Sequence, residues 1–198
     1  GLSDLVISTL YKDSCGYVWM GTATSVERFD GVHLKHYPIY ASSGRWKWVN
    51  AIIETSGNQL WVGTDGGFWQ IGQDRVDRIA PDVIRNGVRS IVKDDKDTLY
   101  IGSETGLHIY KDGKIETVLL ENNSFSSANF IVGLHLEGER LWLITRNGLY
   151  SMNLKDRKPV HYANNLTEKE ALFSYRNITR IDSTLYLGTM EHGILSFD

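Results

Sequence analysis

One cysteine and three prolines are spread over a chain of 198 residues. A single thiol excludes an intrachain disulfide, so no covalent staple holds the fold. Cys15 stands in a polar turn, Asp13-Ser14-Cys15-Gly16, with no histidine beside it in sequence, which reads as a solvent-facing residue and not a nucleophile. The few prolines leave no room for a Pro-rich linker. No apolar run approaches the roughly 20 residues of a membrane-spanning helix, so no membrane contact is expected of this segment. Charge of one sign is also missing: 21 basic against 24 acidic residues give a net charge of -3, which argues against a general nucleic-acid or anionic-membrane binder. His33, His36, His108, His135, His161 and His192 show no metal-ligand spacing, and Asp94-Asp95-Lys96-Asp97 lacks the alternation and distant Glu of a calcium loop. Neither a nucleophile elbow nor a phosphate-cradling glycine loop is present. No metal, no cofactor and no catalytic residue is expected.

What the chain has is a recurring phrase. Val18-Trp19-Met20-Gly21-Thr22 returns as Leu60-Trp61-Val62-Gly63-Thr64 and Leu99-Tyr100-Ile101-Gly102-Ser103, then as Leu141-Trp142-Leu143-Ile144-Thr145 and Leu185-Tyr186-Leu187-Gly188-Thr189. The aromatic positions 19, 61, 100, 142 and 186 are separated by 42, 39, 42 and 44 residues. A period near 40 marks a propeller, solenoid or array.

Each copy is preceded by an alternating apolar segment: Val6 to Tyr11, Val49 to Ile53, Val88 to Val92, Ile131 to Leu136 and Ile178 to Ile181. A polar turn follows each of these, and a third apolar segment follows each hydroxyl residue. Four copies carry a fourth segment, at Val32 to Tyr37, Arg75 to Ile79, Ile115 to Leu120 and Val160 to Tyr162. Short period-two runs punctuated by Gly, Asp, Asn and Ser are strands and turns. Four antiparallel strands in about 40 residues make one propeller blade. The predicted fold is therefore all-β, a single propeller of five repeats at about 1–40, 41–82, 83–124, 125–166 and 167–198, the last lacking its outer strand. The aromatic is expected to fill the wedge between blades, the glycine to admit a close neighbour, the hydroxyl to bond at the strand end, and the later glycine to supply a positive φ. Only Thr167 to Leu172 has the pattern of a helical turn.

Asp13 to Thr22, followed by Arg28-Phe29-Asp30-Gly31, resembles the two-component regulator propeller repeat, roughly Asp-x-x-Gly-x-Leu-Trp-Ile-Gly-Thr-x-x-Gly-Leu. The opening Gly1 to Val6 resembles the first blade of such sensors. The resemblance runs through the chain, clearest in the first three copies; Ile144 replaces the glycine in the fourth, and the turn is longer in the fifth. It implies the periplasmic sensor part of an inner-membrane histidine kinase, often a hybrid, with oligosaccharides as the usual input and signalling to transcription as the output. It also implies rings of about seven blades. Nineteen strands are counted here against 20 for five full blades, so the chain is expected to be an N-terminal fragment. Its open strand edges are then expected to pair with a second copy or to draw five blades into a strained ring.

The turns between second and third strands, and the links into each first strand, share one end of a propeller, and binding residues collect on such loops. Trp46, Trp48, Arg85, Arg146, Tyr175, Arg176 and His192 are the candidate ligand contacts there. Aromatic faces stack on sugar CH groups while Arg and amides bond hydroxyls. Trp46 and Trp48 fall outside the repeat pattern and flank Lys47; the plainer reading is that they cover the first blade junction. Two other classes stay open, a scaffold for protein–protein contact and a propeller glycosidase or lyase. The latter needs converging carboxylates on the axis, and the first-strand starts Leu5, Val49, Val88, Ile131 and Ile178 offer none.

Overall fold

The computed structural model describes residues 1–39, 48–72, 75–162, 175–189 and 193–197, with the backbone alone for Tyr175 and Arg176. The chain is all-β, as its patterning predicts. The first sheet holds β1 (Thr9–Lys12), β2 (Val18–Gly21), β3 (Ser25–Phe29) and β4 (Leu34–Pro38). The second holds β5 (Val49–Thr55), β6 (Gln59–Thr64), β7 (Gly67–Ile71) and β8 (Val76–Ile79). The third runs through β9 (Val88–Lys93), β10 (Leu99–Ser103), β11 (Gly106–Lys111) and β12 (Lys114–Val118). A 3-10 turn, Ser127–Asn129, precedes the fourth, made of β13 (Ile131–Glu137), β14 (Arg140–Thr145), β15 (Gly148–Asn153) and β16 (Pro159–Tyr162). The fifth has β17 (Tyr175–Ile181), β18 (Thr184–Thr189) and β19 (Ile194–Phe197). In every sheet the strands neighbour one another in chain order, the meander of a propeller blade. The helical turn expected at 167–172 lies outside the described residues.

The first strand differs from expectation. The patterning predicts it from Val6, but the ladder begins at Thr9, and Leu5, Val6 and Ile7 are exposed coil. The partner strand sets this limit: β2 ends at Gly21 opposite Thr9, and the chain then turns at Thr22, so residues before Ser8 have no strand to pair with.

The chain divides into two compact units, Gly1–Ile91 and Val92–Asp198. In the first, a core of Trp19, Val26, Tyr37, Val49, Ile52, Val62 and Trp69 lies between the first two blades. In the second, Tyr100, Leu107, Ile131, Leu134, Leu141 and Met152 form the core between the third and fourth. Four of the five repeated aromatics are buried as expected: Trp19, Trp61, Tyr100 and Trp142 are 4–6% exposed, Trp19 and Tyr100 within these two cores, while Tyr186 is half-buried. Three of them tie their polar tips back to the preceding turn or strand end, Trp19 Nε1 to Asp13 at 2.7 Å, Trp61 Nε1 to Thr55 at 2.9 Å and the Tyr100 hydroxyl to Asp94 at 3.4 Å. Burial pushes the Tyr100 phenol up to about 12.

The glycine beside each of the first three aromatics has a definite neighbour. A Cβ on Gly21 would stand 2.6 Å from Val49, one on Gly63 would stand 2.5 Å from Val88, and one on Gly102 would stand 2.7 Å from Ile131. Each second strand thus carries a notch for the first residue of the next blade's first strand, and the three tenants are wholly buried. The fourth blade inverts this. Its second strand has Ile144, and the residue opposite on the first strand is Gly133, where the second blade pairs Gly63 with Ala51. Volume has crossed from one strand to the other at the same register.

Candidate functional site

At the end of the blades where the second strand turns into the third, the hydroxyl residue works as the sequence predicts. Thr22, Thr64, Ser103 and Thr145 are fully buried, and each donates to the carbonyl at the start of the third strand, Ser25, Gly67, Gly106 and Gly148, at 3.0–3.3 Å. Their oxygens accept the turn N–H two residues on, at 3.0–3.3 Å. Gly67 and Gly106 take φ of +124° and +134°, values that a side chain would strain.

A third-strand side chain closes this arrangement, and sequence reading does not single it out. Trp69 Nε1 donates to Thr64 at 3.0 Å, and His108 Nε2 meets Ser103 at 2.9 Å while its Nδ1 meets Thr117 at 2.8 Å. In the fourth blade Asn147 reaches the Tyr150 hydroxyl at 2.9 Å. In the first blade the place belongs to Glu27, fully buried, which accepts from Ser25 at 2.7 Å and from Ser3, with His36 Nδ1 against its other oxygen. Burial alone lowers His108 from 6.5 to about 4, so its ring is neutral.

Three of the candidate contacts read from the sequence, Trp48, Arg85 and Arg146, belong to this same end. Trp48, 37% exposed, immediately precedes β5, and its carbonyl accepts the Asp65 N–H at 3.0 Å. Arg146 occupies the equivalent turn of the fourth blade, bonded to the Phe130 carbonyl at 3.1 Å, with its guanidinium 3.6 Å from the Phe130 ring centre. Arg85 folds onto its own turn, Nε to the Asp82 carbonyl at 2.9 Å. Trp46 and His192 lie outside the described residues, as do the side chains of Tyr175 and Arg176. Repeat geometry makes Trp48 and Phe130 counterparts, each beside a second-to-third turn.

A cavity opens at the opposite end of the first unit, where first strands turn into second and third into fourth. It is a groove of about 480 Å³ between the first and second blades, within the size range of small-molecule sites. Tyr17, Trp19 and Tyr37 wall one side, Trp19 and Tyr37 with ring centres 5.3 Å apart. Leu60 and Ile71 contribute apolar surface from the second blade. Among the described residues three carboxylates reach the lining and each is engaged: Asp13 accepts from Tyr17 N at 2.8 Å and Trp19 Nε1 at 2.7 Å, Glu54 accepts from the Ser14 N–H and hydroxyl at 2.8 and 2.9 Å, and Asp77 pairs with Arg75 at 2.7 Å. The Glu54–Ser14 contact joins the two blades at the mouth. Arg28 differs. Its guanidinium lies 4.5 Å from the Tyr17 ring centre and 5.9 Å from that of Trp19. Its Nε is buried without a hydrogen-bond partner, and it forms no ion pair among the described residues. Asn58, Gln59 and Gln70 add amides.

The sequence gives little warning of this groove, because its walls are some 40 residues apart in the chain. The one available signal is Arg28, a charged residue opposite Trp19 on a strand face otherwise committed to the core.

The blade architecture defines the chain as a β-propeller of the kind seen in several solved structures. Residues 1–24 match the two component regulator propeller family, the stretch that holds the first copy of the repeated phrase. Two structures of the extracellular domain of BT4673 from B. thetaiotaomicron, described in one as a one component system and in the other as a hybrid two component system, share the fold with TM-scores of 0.81 and 0.77 at 19% identity. This chain is covered completely in both and spans 27% of those chains. Virginiamycin B lyase from Staphylococcus aureus is also similar, with a TM-score of 0.74 at 14% identity over 99% of this chain and 71% of the lyase. A sequence comparison with curated proteins found no match.

Proposed function

We propose that this chain is part of the periplasmic sensor region of a two-component regulatory protein, and that it takes an oligosaccharide in the groove between its first two blades. The observation that carries this reading is the groove's lining, in which aromatic faces and an apolar floor stand beside amides and a guanidinium. Sugars are bound in this way, by ring faces against CH groups with polar groups at the rim. The family match over residues 1–24 and the fold shared with an extracellular sensor domain support the same role. Binding without turnover fits a lining whose three carboxylates are already held by Trp19, Ser14 and Arg75. A hydrolytic site needs two carboxylates free to act on one bond.

Calorimetric titration against a panel of oligosaccharides tests this. A ligand whose affinity collapses in Tyr17→Ala and persists in Trp48→Ala assigns the groove. The reverse pattern moves the site to the other end of the blades, where Trp48 and Arg146 lie. Absence of binding by every saccharide overturns the reading.

A further inference from the structure

We infer that the groove selects an acidic saccharide, a sugar unit carrying a carboxylate such as a uronic acid, and that Arg28 is the residue that recognises it. This inference rests on the saccharide reading above. Among the described residues every carboxylate in the lining already accepts hydrogen bonds from the protein, and Arg75 is neutralised by Asp77. Arg28 is the charged group left over: its Nε is buried with no acceptor, and no carboxylate pairs with it among the described residues.

Its placement is also fixed. Arg28 lies opposite Trp19 on β2 and opposite Lys35 on β4. Its plane leans on Tyr17 at 4.5 Å, contact that holds a guanidinium without using its N–H donors. A planar fork so held is suited to a carboxylate, which it meets with two parallel hydrogen bonds. A neutral hydroxyl would satisfy one donor and leave the charge uncompensated. Asp13, Glu54 and Asp77 oppose an anion by charge, so the preference should be for a single carboxylate on an otherwise neutral sugar and not for a polyanion.

The test compares a disaccharide that ends in glucuronic acid with its counterpart ending in glucose, titrated into the wild-type chain, Arg28→Lys and Arg28→Met. Intrinsic tryptophan fluorescence is a second readout, and thermal melts establish that the variants fold. The acidic disaccharide is expected to bind about tenfold or more tighter than the neutral one to the wild type, the scale of one charge-assisted pair. That preference should weaken with salt, shrink in Arg28→Lys and vanish in Arg28→Met. Equal affinities in the wild type, or a preference that survives Arg28→Met, overturn the assignment while leaving the saccharide reading in place. Binding of neither disaccharide, alongside silence from the wider panel, sinks both.

Discussion

Gly63 on the second strand of the second blade lies so close under Val88 that an added Cβ would approach the valine Cγ1 to 2.5 Å. Val88 opens the next first strand and is wholly buried. Alanine normally improves on glycine in a strand by reducing chain entropy in the unfolded state. Here the sign reverses, because the valine is held in a packed layer and cannot yield.

Gly63→Ala is expected to destabilise the chain by about 1–3 kcal/mol, the usual penalty of overpacking. Val88→Ala alone also costs stability by leaving a cavity. Combined, the two should cost clearly less than the sum of the singles, since the smaller residue frees the space that the new methyl needs. Urea unfolding of the four proteins gives the coupling. Strict additivity would show that the notch and its tenant are not a pair.

Acid should expose His108. Its ring is 1% exposed, and burial lowers its pKa to about 4, while an unfolded histidine titrates near 6.5. Between those values the unfolded chain holds more protons than the folded one, so stability rises with pH across that window and is lost as pH falls through it. The full gap corresponds to about 3 kcal/mol at the acid end. His108→Gln keeps hydrogen-bonding groups toward Ser103 and Thr117 but cannot titrate. Denaturation midpoints measured from pH 4 to 7 should show a flatter profile for the variant, and an unchanged slope would remove His108 as the source.

Trp61 and Trp142 occupy the same repeat position and are 4% and 5% exposed. Trp61 Nε1 donates to Thr55 at 2.9 Å, whereas Trp142 Nε1 is buried without a partner among the described residues. Replacing each by phenylalanine removes similar area. Only at Trp61 does it also break a hydrogen bond, and at Trp142 it relieves an unsatisfied donor. Trp61→Phe should therefore cost about 1–3 kcal/mol more than Trp142→Phe. Equal losses in thermal or urea unfolding would contradict this.

The repeat itself was open to sequence reading because its parts recur in kind: an aromatic, a glycine, a hydroxyl and a turn at nearly fixed spacing. The strand turn at Thr64 or Ser103 follows from those letters alone. The residue that closes the turn does not, since Glu27, Trp69, His108 and Tyr150 share a place and no chemistry. Ile144 looks like a lapse in the pattern until the cross-strand register sets Gly133 opposite it. The groove was hidden for a related reason. Tyr17 and Arg28 meet Glu54 and Gln70 only once two blades lie face to face, and pairings between repeats leave no trace in a single copy's consensus. The expectation of ligand contacts at Trp48, Arg85 and Arg146 rests on loop position, which places residues at an end of a blade but does not say whether a cavity opens there.

Notch and tenant belong to different blades, and this bears on how such a chain can grow. Copying one unit of about forty residues into a new place carries a notch along but leaves its tenant behind. A transplanted blade fits only where the following first strand begins with a side chain of the right bulk, Val49 for Gly21 or Ile131 for Gly102. The heritable module is then a junction, half of one blade and half of the next. The fourth blade still supplies Ile131 to the notch at Gly102, but it has Ile144 where its own notch would stand, so placed ahead of Val49 or Val88 it would offer that tenant no seat.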